Sequence, residues 1–465
     1  MIRAKGLRTW AAAAALLATT ALPVGAQSLS DALVGAYNSS PLLAQQRNLL
    51  RVEDEDVAQA VATLRPTLSY FAQTQLVDNE AGDSPLDDGG TNRTTSFGID
   101  LSWTLFDWGQ RAFQIGGAKE TVLATRWLLT DLEQDVLGQA VDAYLQLALA
   151  VRTVDVRESN LRLLQTQLQA SRDRFEVGEV TRTDVAIAEA ALAGAQSELA
   201  AARGQVDISR ELYRQATGSL PGSSLSALPP SPSIPPTAEG AQALAVQIAP
   251  TIKALQHQIV GADLGVQVAE ASRRPSVTLN GQIAETEGRG ARGVTLRAGG
   301  PIYTGGSLAS NVRQATARAN ALRAQLANEA RTVTFQVGQA YAQLMVAKSQ
   351  LMASEEQVRS AQLAFEGFRE EALLGARTTL DVLDAEQQLL DARVARLQAD
   401  TNVEGAVYDV LGAIGLLTTE HLGLSVERYD PDAYYQAVRT APATLPRSDR
   451  GNRRDRVLKR FGRGG

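Results

Sequence analysis

The chain has no cysteine, two histidines (His257 and His421) and only 5% aromatic residues among its 465. Without cysteine there are no disulfides, zinc–thiolate centres, thiol nucleophiles or N-terminal lipid thioether. Two histidines are too few for a His-rich metal site or a His-based triad, so neither a metal nor a cofactor is expected. A basic excess is also missing: 45 Lys and Arg face 51 Asp and Glu, a net charge of −6 that argues against a nucleic-acid partner. Beyond Gln27 there is no window of about 18 uninterrupted apolar residues, so any membrane span has to be built of strands. No nucleophile or acid–base constellation is recognisable, and the chain is not read as an enzyme.

What is present is a 44% hydrophobic composition, too apolar for disorder and long enough to bury a sizeable core. Residues 1–26 combine a basic start (Arg3, Lys5, Arg8), an apolar stretch from Trp10 to Leu22, and small residues Val24 and Ala26. That is the layout of a cleavable secretory signal peptide, cut before Gln27.

The rest is one unit written twice. Arg65-Pro66-Thr67-Leu68 returns 209 positions later as Arg274-Pro275-Ser276-Val277. Ala143-Tyr144-Leu145-Gln146-Leu147 returns 197 positions later as Ala340-Tyr341-Ala342-Gln343-Leu344, and Gly178 and Asp184 return as Gly375 and Asp381. The drop from 209 to 197 assigns 12 extra residues to the first copy, in an acidic loop within Asp78 to Arg93 that carries Glu80, Asp83, Asp87 and Asp88. The expected organisation is a first repeat over 27–217, a connector over 218–240 holding six of the 16 prolines, and a second repeat over 241–417. An equatorial segment and a basic tail, Arg447 to Gly465, complete 418–465.

Within each copy the apolar period changes along the chain. Residues 29–64 read as one helix up to Arg65-Pro66, and 240–273 as its counterpart. From Ser96 to Phe106 the period is two: Phe97, Ile99, Leu101, Trp103 and Leu105 oppose Ser96, Gly98, Asp100, Ser102 and Thr104. Strands are expected at about 66–77, 94–106, 275–284 and 293–303, with Gly288 to Gly293 as a turn rather than a dinucleotide loop. Trp103 and Trp108 suit an interfacial girdle, or for Trp108 a place beneath the strands. Long helices are expected at about 108–175 and 305–373, capped by Asp107 and Thr304, each roughly 100 Å long. Their heptads, Leu147, Val154, Leu161, Leu168, Phe175 and Leu344, Leu351, Val358, Phe365, Ala372, indicate antiparallel coiled-coil packing. The shorter helices run opposite to them, giving a tall helical wall that carries the strands.

Strands of about ten residues with one watery face match an outer membrane, but four of them leave edges that lipid cannot satisfy. Closure needs further copies. Two would give a filled eight-stranded barrel, three a 12-stranded one with room for a conduit.

The doubled unit, the two Arg-Pro strand starts and Leu374-Gly375-Ala376-Arg377-Thr378-Thr379-Leu380-Asp381-Val382-Leu383-Asp384-Ala385 resemble the TolC-like outer-membrane efflux proteins of tripartite efflux and type I secretion. The resemblance reaches to about Leu417. It implies a mainly α fold with a membrane β part: a homotrimer with a 12-stranded β-barrel in outer-membrane lipid and an α-barrel in the periplasm. The implied partners are a periplasmic adaptor and an inner-membrane transporter, and the implied role is a passive conduit to the exterior.

By that resemblance the turns at Gly178 and Gly375 form a gated periplasmic mouth. Asp381 and Asp384 match its lumen-facing aspartates; Arg377, Thr183 and Asp184 match groups that link neighbouring hairpins. The chain departs from the family pattern at Ala372, a tyrosine in the archetype, and at Arg369, an acid there. Thr181-x-x-Asp184 and Thr378-x-x-Asp381 also fit a capping box, an alternative role for Asp184 and Asp381 that Asp384 lacks. A soluble periplasmic coiled-coil adaptor or scaffold is the alternative for the whole protein, and a secreted hydrolase a third, weaker one.

Overall fold

Prolines 41 and 250 each interrupt a helix that the sequence presents as continuous. In the computed structural model, which describes residues 27–79, 90–222, 224–226 and 230–441, the run 29–64 is two helices, α1 (Leu29–Ser39) and α2 (Pro41–Ala62). A proline ring disfavours the helical conformation of its predecessor, and Ser40 accordingly turns out to φ −62°, ψ 116°. The second copy breaks at the equivalent place, between α5 (Ala238–Ile248) and α6 (Pro250–Ala271). The segment expected to be a signal peptide and the Arg447 to Gly465 tail lie outside the described residues.

The long helices α3 (Gln110–Glu176) and α7 (Ser307–Leu373) both contain 67 residues, and α4 (Arg182–Thr217) and α8 (Thr379–Ile414) both contain 36. Each of the long pair starts two residues later than expected. Trp108 and Gly109 (φ 55° and 83°), like Gly305 and Gly306 (φ 62° and 89°), hold a left-handed turn that no helix can include. Asp107 still supplies acceptors to that start, taking the Gly109 and Arg111 amides at 3.2 and 3.3 Å.

The chain divides into two compact units. The first comprises residues 27–43, 132–249 and 333–427. Its core includes Tyr144, Leu147, Leu344, Leu411 and Ile414, all essentially inaccessible. Two tyrosines at equivalent positions of the repeat tie the proline-rich connector to the long helices. Tyr144 Oη donates to the carbonyls of Gln27 and Ser226 at 3.3 and 3.1 Å, and Tyr341 Oη to Pro235 at 2.6 Å. The connector ends at Thr237, the N-cap of α5, so the expected 218–240 overran the first helical turn.

The second unit comprises residues 44–131, 250–332 and, among the described residues, 428–441. It holds one antiparallel sheet in the order β1 (Thr67–Asn79), β2 (Gly90–Phe106), β3 (Ser276–Thr286), β4 (Arg289–Gly299). The hairpins of the two copies join through β2 and β3, leaving β1 and β4 as edges. Two strand limits differ from expectation. Glu287 and Gly288 (φ 51° and 77°) form a two-residue turn, so Arg289 to Gly293 pair with Gln282 to Thr286 instead of looping out. Pro301, which has no N–H to give a ladder, follows the end of β4, and Ile302 lies beyond it in the open. In the first copy the ladder extends to Asn79 and Gly90, so the ends of the acidic loop expected within Asp78 to Arg93 are strand, and residues 80–89 lie outside the described residues.

The sheet is inside out compared with one from a soluble domain. Along β2 exposure alternates strictly from Arg93 to Asp100, with Phe97 and Ile99 on the exposed face beside Arg93 and Thr95. Register aligns Tyr70, Ile99, Ile283 and Arg292 in one row, Leu68, Leu101, Gly281 and Val294 in the next, and Trp103, Leu279 and Leu296 in a third. Tyr70 is 88% and Val294 78% exposed. Thr94, Ser96, Gly98 and Asp100, on the other face, are the more covered residues. There Phe71 lies across Gly98, where a Cβ would come within 2.8 Å of its ring.

Trp108 packs beneath the strands rather than in a girdle. Its indole donates to the Pro275 carbonyl at 2.8 Å, under the Arg274 guanidinium at 5.1 Å. Trp103 donates to Leu64 O at 3.0 Å. In this unit, too, the C-terminal segment with α9 (Pro431–Val438) stacks Tyr429, Tyr434 and Tyr435 on Arg47, Arg51 and Arg126, with centroid distances of 5.5, 5.9 and 5.5 Å. Asp432 adds an ion pair to Arg126 at 2.8 Å.

Candidate functional site

The two helical tips, both in the first unit, have the same construction. Each long helix ends in a turn whose glycine is left-handed, Gly178 at φ 82° and Gly375 at φ 78°. The next amide reaches back five residues, Glu179 N to Arg174 O and Ala376 N to Glu371 O, both at 2.9 Å, closing carbonyls that the helix end leaves open. A side chain with a Cβ would strain that backbone, and this is why glycine sits at both tips.

The returning helices start with full capping boxes. Thr181 Oγ1 accepts the Asp184 amide at 3.3 Å while Asp184 Oδ2 accepts the Thr181 amide at 2.8 Å. Thr378 and Asp381 repeat this at 3.3 and 2.9 Å. The hydrogen bonds from the threonines hold both carboxyls below the usual 3.8. Asp184 and Asp381 are therefore structural caps in the single chain. Asp384, one turn on, is exposed and no described side chain bonds to it.

Within one chain, Arg377 engages its own hairpin. Its Nε donates to Glu371 Oε2 at 2.8 Å, which raises its pKa, and its guanidinium lies 4.5 Å over the Phe368 ring. Thr183 is exposed on the first turn of α4. Ala372 packs on a cluster of Phe365, Val382, Ala385 and Leu389, and Arg369 approaches Glu370 at 3.9 Å. Phe175, expected in the heptad seam, is exposed: it stands in the last turn of α3, where the returning helix has not yet begun.

A second cluster joins the two repeats near the tips. Leu164 of α3 and Ala195 of α4 meet Leu383 of α8. On α8, one turn after Val382, stands Glu386, not anticipated from the sequence and only 4% exposed. Its spacing was the available signal: four residues after Val382 and three before Leu389, it occupies an apolar-face position. Among the described residues, no grouping of three or more His, Asp or Glu could hold a metal ion.

The sequence profile of outer membrane efflux proteins matches residues 32–219 and 243–416, once per repeat. The chain belongs to the outer membrane efflux protein family. It is 34% identical to the outer membrane efflux protein BepC of Brucella suis, over 94% of this chain and 96% of that one. It is 25% identical to the outer membrane protein TolC of Vibrio cholerae, over 87% and 94% respectively. Solved structures share the fold: CusC at TM-score 0.74, 18% identity, covering 84% of this chain and 92% of that one, and OprN at 0.72, 20%, 83% and 89%. The family consists of outer-membrane channel proteins. Its members function in efflux or secretion, which removes the soluble adaptor from consideration.

Proposed function

We propose that three copies assemble into the outer-membrane conduit of a tripartite export system. Each contributes four strands to a 12-stranded β-barrel in lipid and four helical elements to a periplasmic α-barrel, which receives an adaptor and an inner-membrane transporter. The observation that carries this reading is the sheet: one face exposes Leu68, Tyr70, Phe97, Ile99, Ile283 and Val294, and both edges are open. In lipid each unpaired backbone group costs several kcal/mol, so the edges require partners, and β4 of one copy pairs with β1 of the next. The chain supplies no chemistry; it is a passive path for cargo moved by the pump.

In this reading the tips form the periplasmic mouth, with Asp381 and Asp384 of three copies converging on the axis. The processed protein, extracted in detergent and placed in a planar bilayer, is expected to run as a trimer and to give discrete conductance steps. A monomeric, freely water-soluble and electrically silent product would overturn the proposal.

A further inference from the structure

Glu386 lies where a carboxylate is poorly tolerated. It is buried on α8 one turn after Val382, of the Phe365, Val382, Ala385 and Leu389 cluster, and Leu383, of the Leu164, Ala195 and Leu383 cluster, and its Oε1 has no hydrogen-bond donor. Among the charged groups of these helices, Arg172 of α3, Glu189 of α4, Glu366 and Arg369 of α7, and Asp384, Asp391 and Arg393 of α8 are all exposed. Arg172 is engaged by Glu189 at 2.6 Å and Arg393 by Gln362 at 2.7 Å. None of them neutralises Glu386.

Resting on the conduit reading, we propose that Glu386 is a proton-sensitive joint in the mouth: neutral, it stays packed and keeps the tips closed, and ionised, it drives α8 out of that packing and favours opening. Burial alone pushes its carboxyl from 4.5 to about 7. The packed form therefore holds the proton more tightly than a released form in which Glu386 meets water. Packing is strongest below 4.5, weakens as pH rises from 4.5 to about 7, and is weakest above that window. The capping aspartates respond in the opposite sense and below this range, so the two kinds of acid are separable.

The test is single-channel recording of the full-length trimer between about pH 5 and about pH 8, with hydrogen exchange of the α8 start measured in parallel. The wild type is expected to open more often and exchange faster as pH rises, by at most about tenfold per pH unit per site. Glu386→Gln should remain in the closed pattern throughout, with Asp384→Asn changing selectivity but keeping the wild-type midpoint. If Glu386→Gln fails to assemble, Glu386→Met provides the same neutral comparison, and the wild-type exchange profile stands by itself. A wild type without pH response, or a Glu386→Gln channel that retains the wild-type profile, overturns the joint. A protein that conducts at no pH overturns the conduit itself.

Discussion

At residue scale, three carboxylates within six positions of α8 have three different surroundings. Asp381 caps, Asp384 is free in the single chain, and Glu386 is buried. In the proposed trimer, Asp381 and Asp384 provide six acids at one mouth, which attract cations. Asp381→Asn combined with Asp384→Asn is expected to lower cation selectivity; an unchanged reversal potential in a salt gradient would reject the ring. The capping contribution is tested separately. Thr181→Ala removes an acceptor without touching charge and should cost the start of α4 about 1 kcal/mol, read as faster amide exchange over residues 182–185. Because both capping carboxyls are held below 3.8, the boxes persist at all higher pH and fail only as pH falls through those lowered values.

At the scale of elements, the strands carry the decisive pattern. Leu101 and Ser102 are neighbours in β2 but point to opposite faces. Leu101→Arg puts a charge into lipid and should cost about 2–4 kcal/mol if its row lies near the bilayer midplane, whereas Ser102→Arg enters the watery side at little cost. Urea unfolding in lipid vesicles distinguishes them, and equal losses would contradict the assigned faces. The period-two faces were legible in the sequence because they obey a local rule. The breaks at Pro41 and Pro250 were legible in principle, since each proline dictates its predecessor's conformation, but the uninterrupted apolar pattern around them masked the kink. The Tyr429, Tyr434 and Tyr435 clamp was not legible, because its arginine partners stand hundreds of residues earlier. Glu386 was missed for a related reason: a lone acid in an apolar stripe acquires meaning only once both flanking clusters are known.

For the whole molecule, the prediction is closure by copies. The chain is free of cysteine, so introduced pairs have no background. A single cysteine in β1, tested against cysteines stepped along β4, is expected to give a disulfide ladder ending at the trimer for one register only. Intramolecular products alone would show that the edges do not meet between copies. The doubled organisation behind this was visible in the sequence through the matched motifs, and the profile matches each copy separately. The number of copies was not visible, because open edges require neighbours without counting them.

The matched lengths of α3 and α7 carry an evolutionary constraint. Deleting one heptad from α3 alone would withdraw its tip by about two turns and leave the counterpart overhanging. The mouth could then no longer be level, and the threonine–aspartate boxes of the two repeats would sit at different heights. Any relative that is longer or shorter in this region should have changed both helices together, and both returning helices with them.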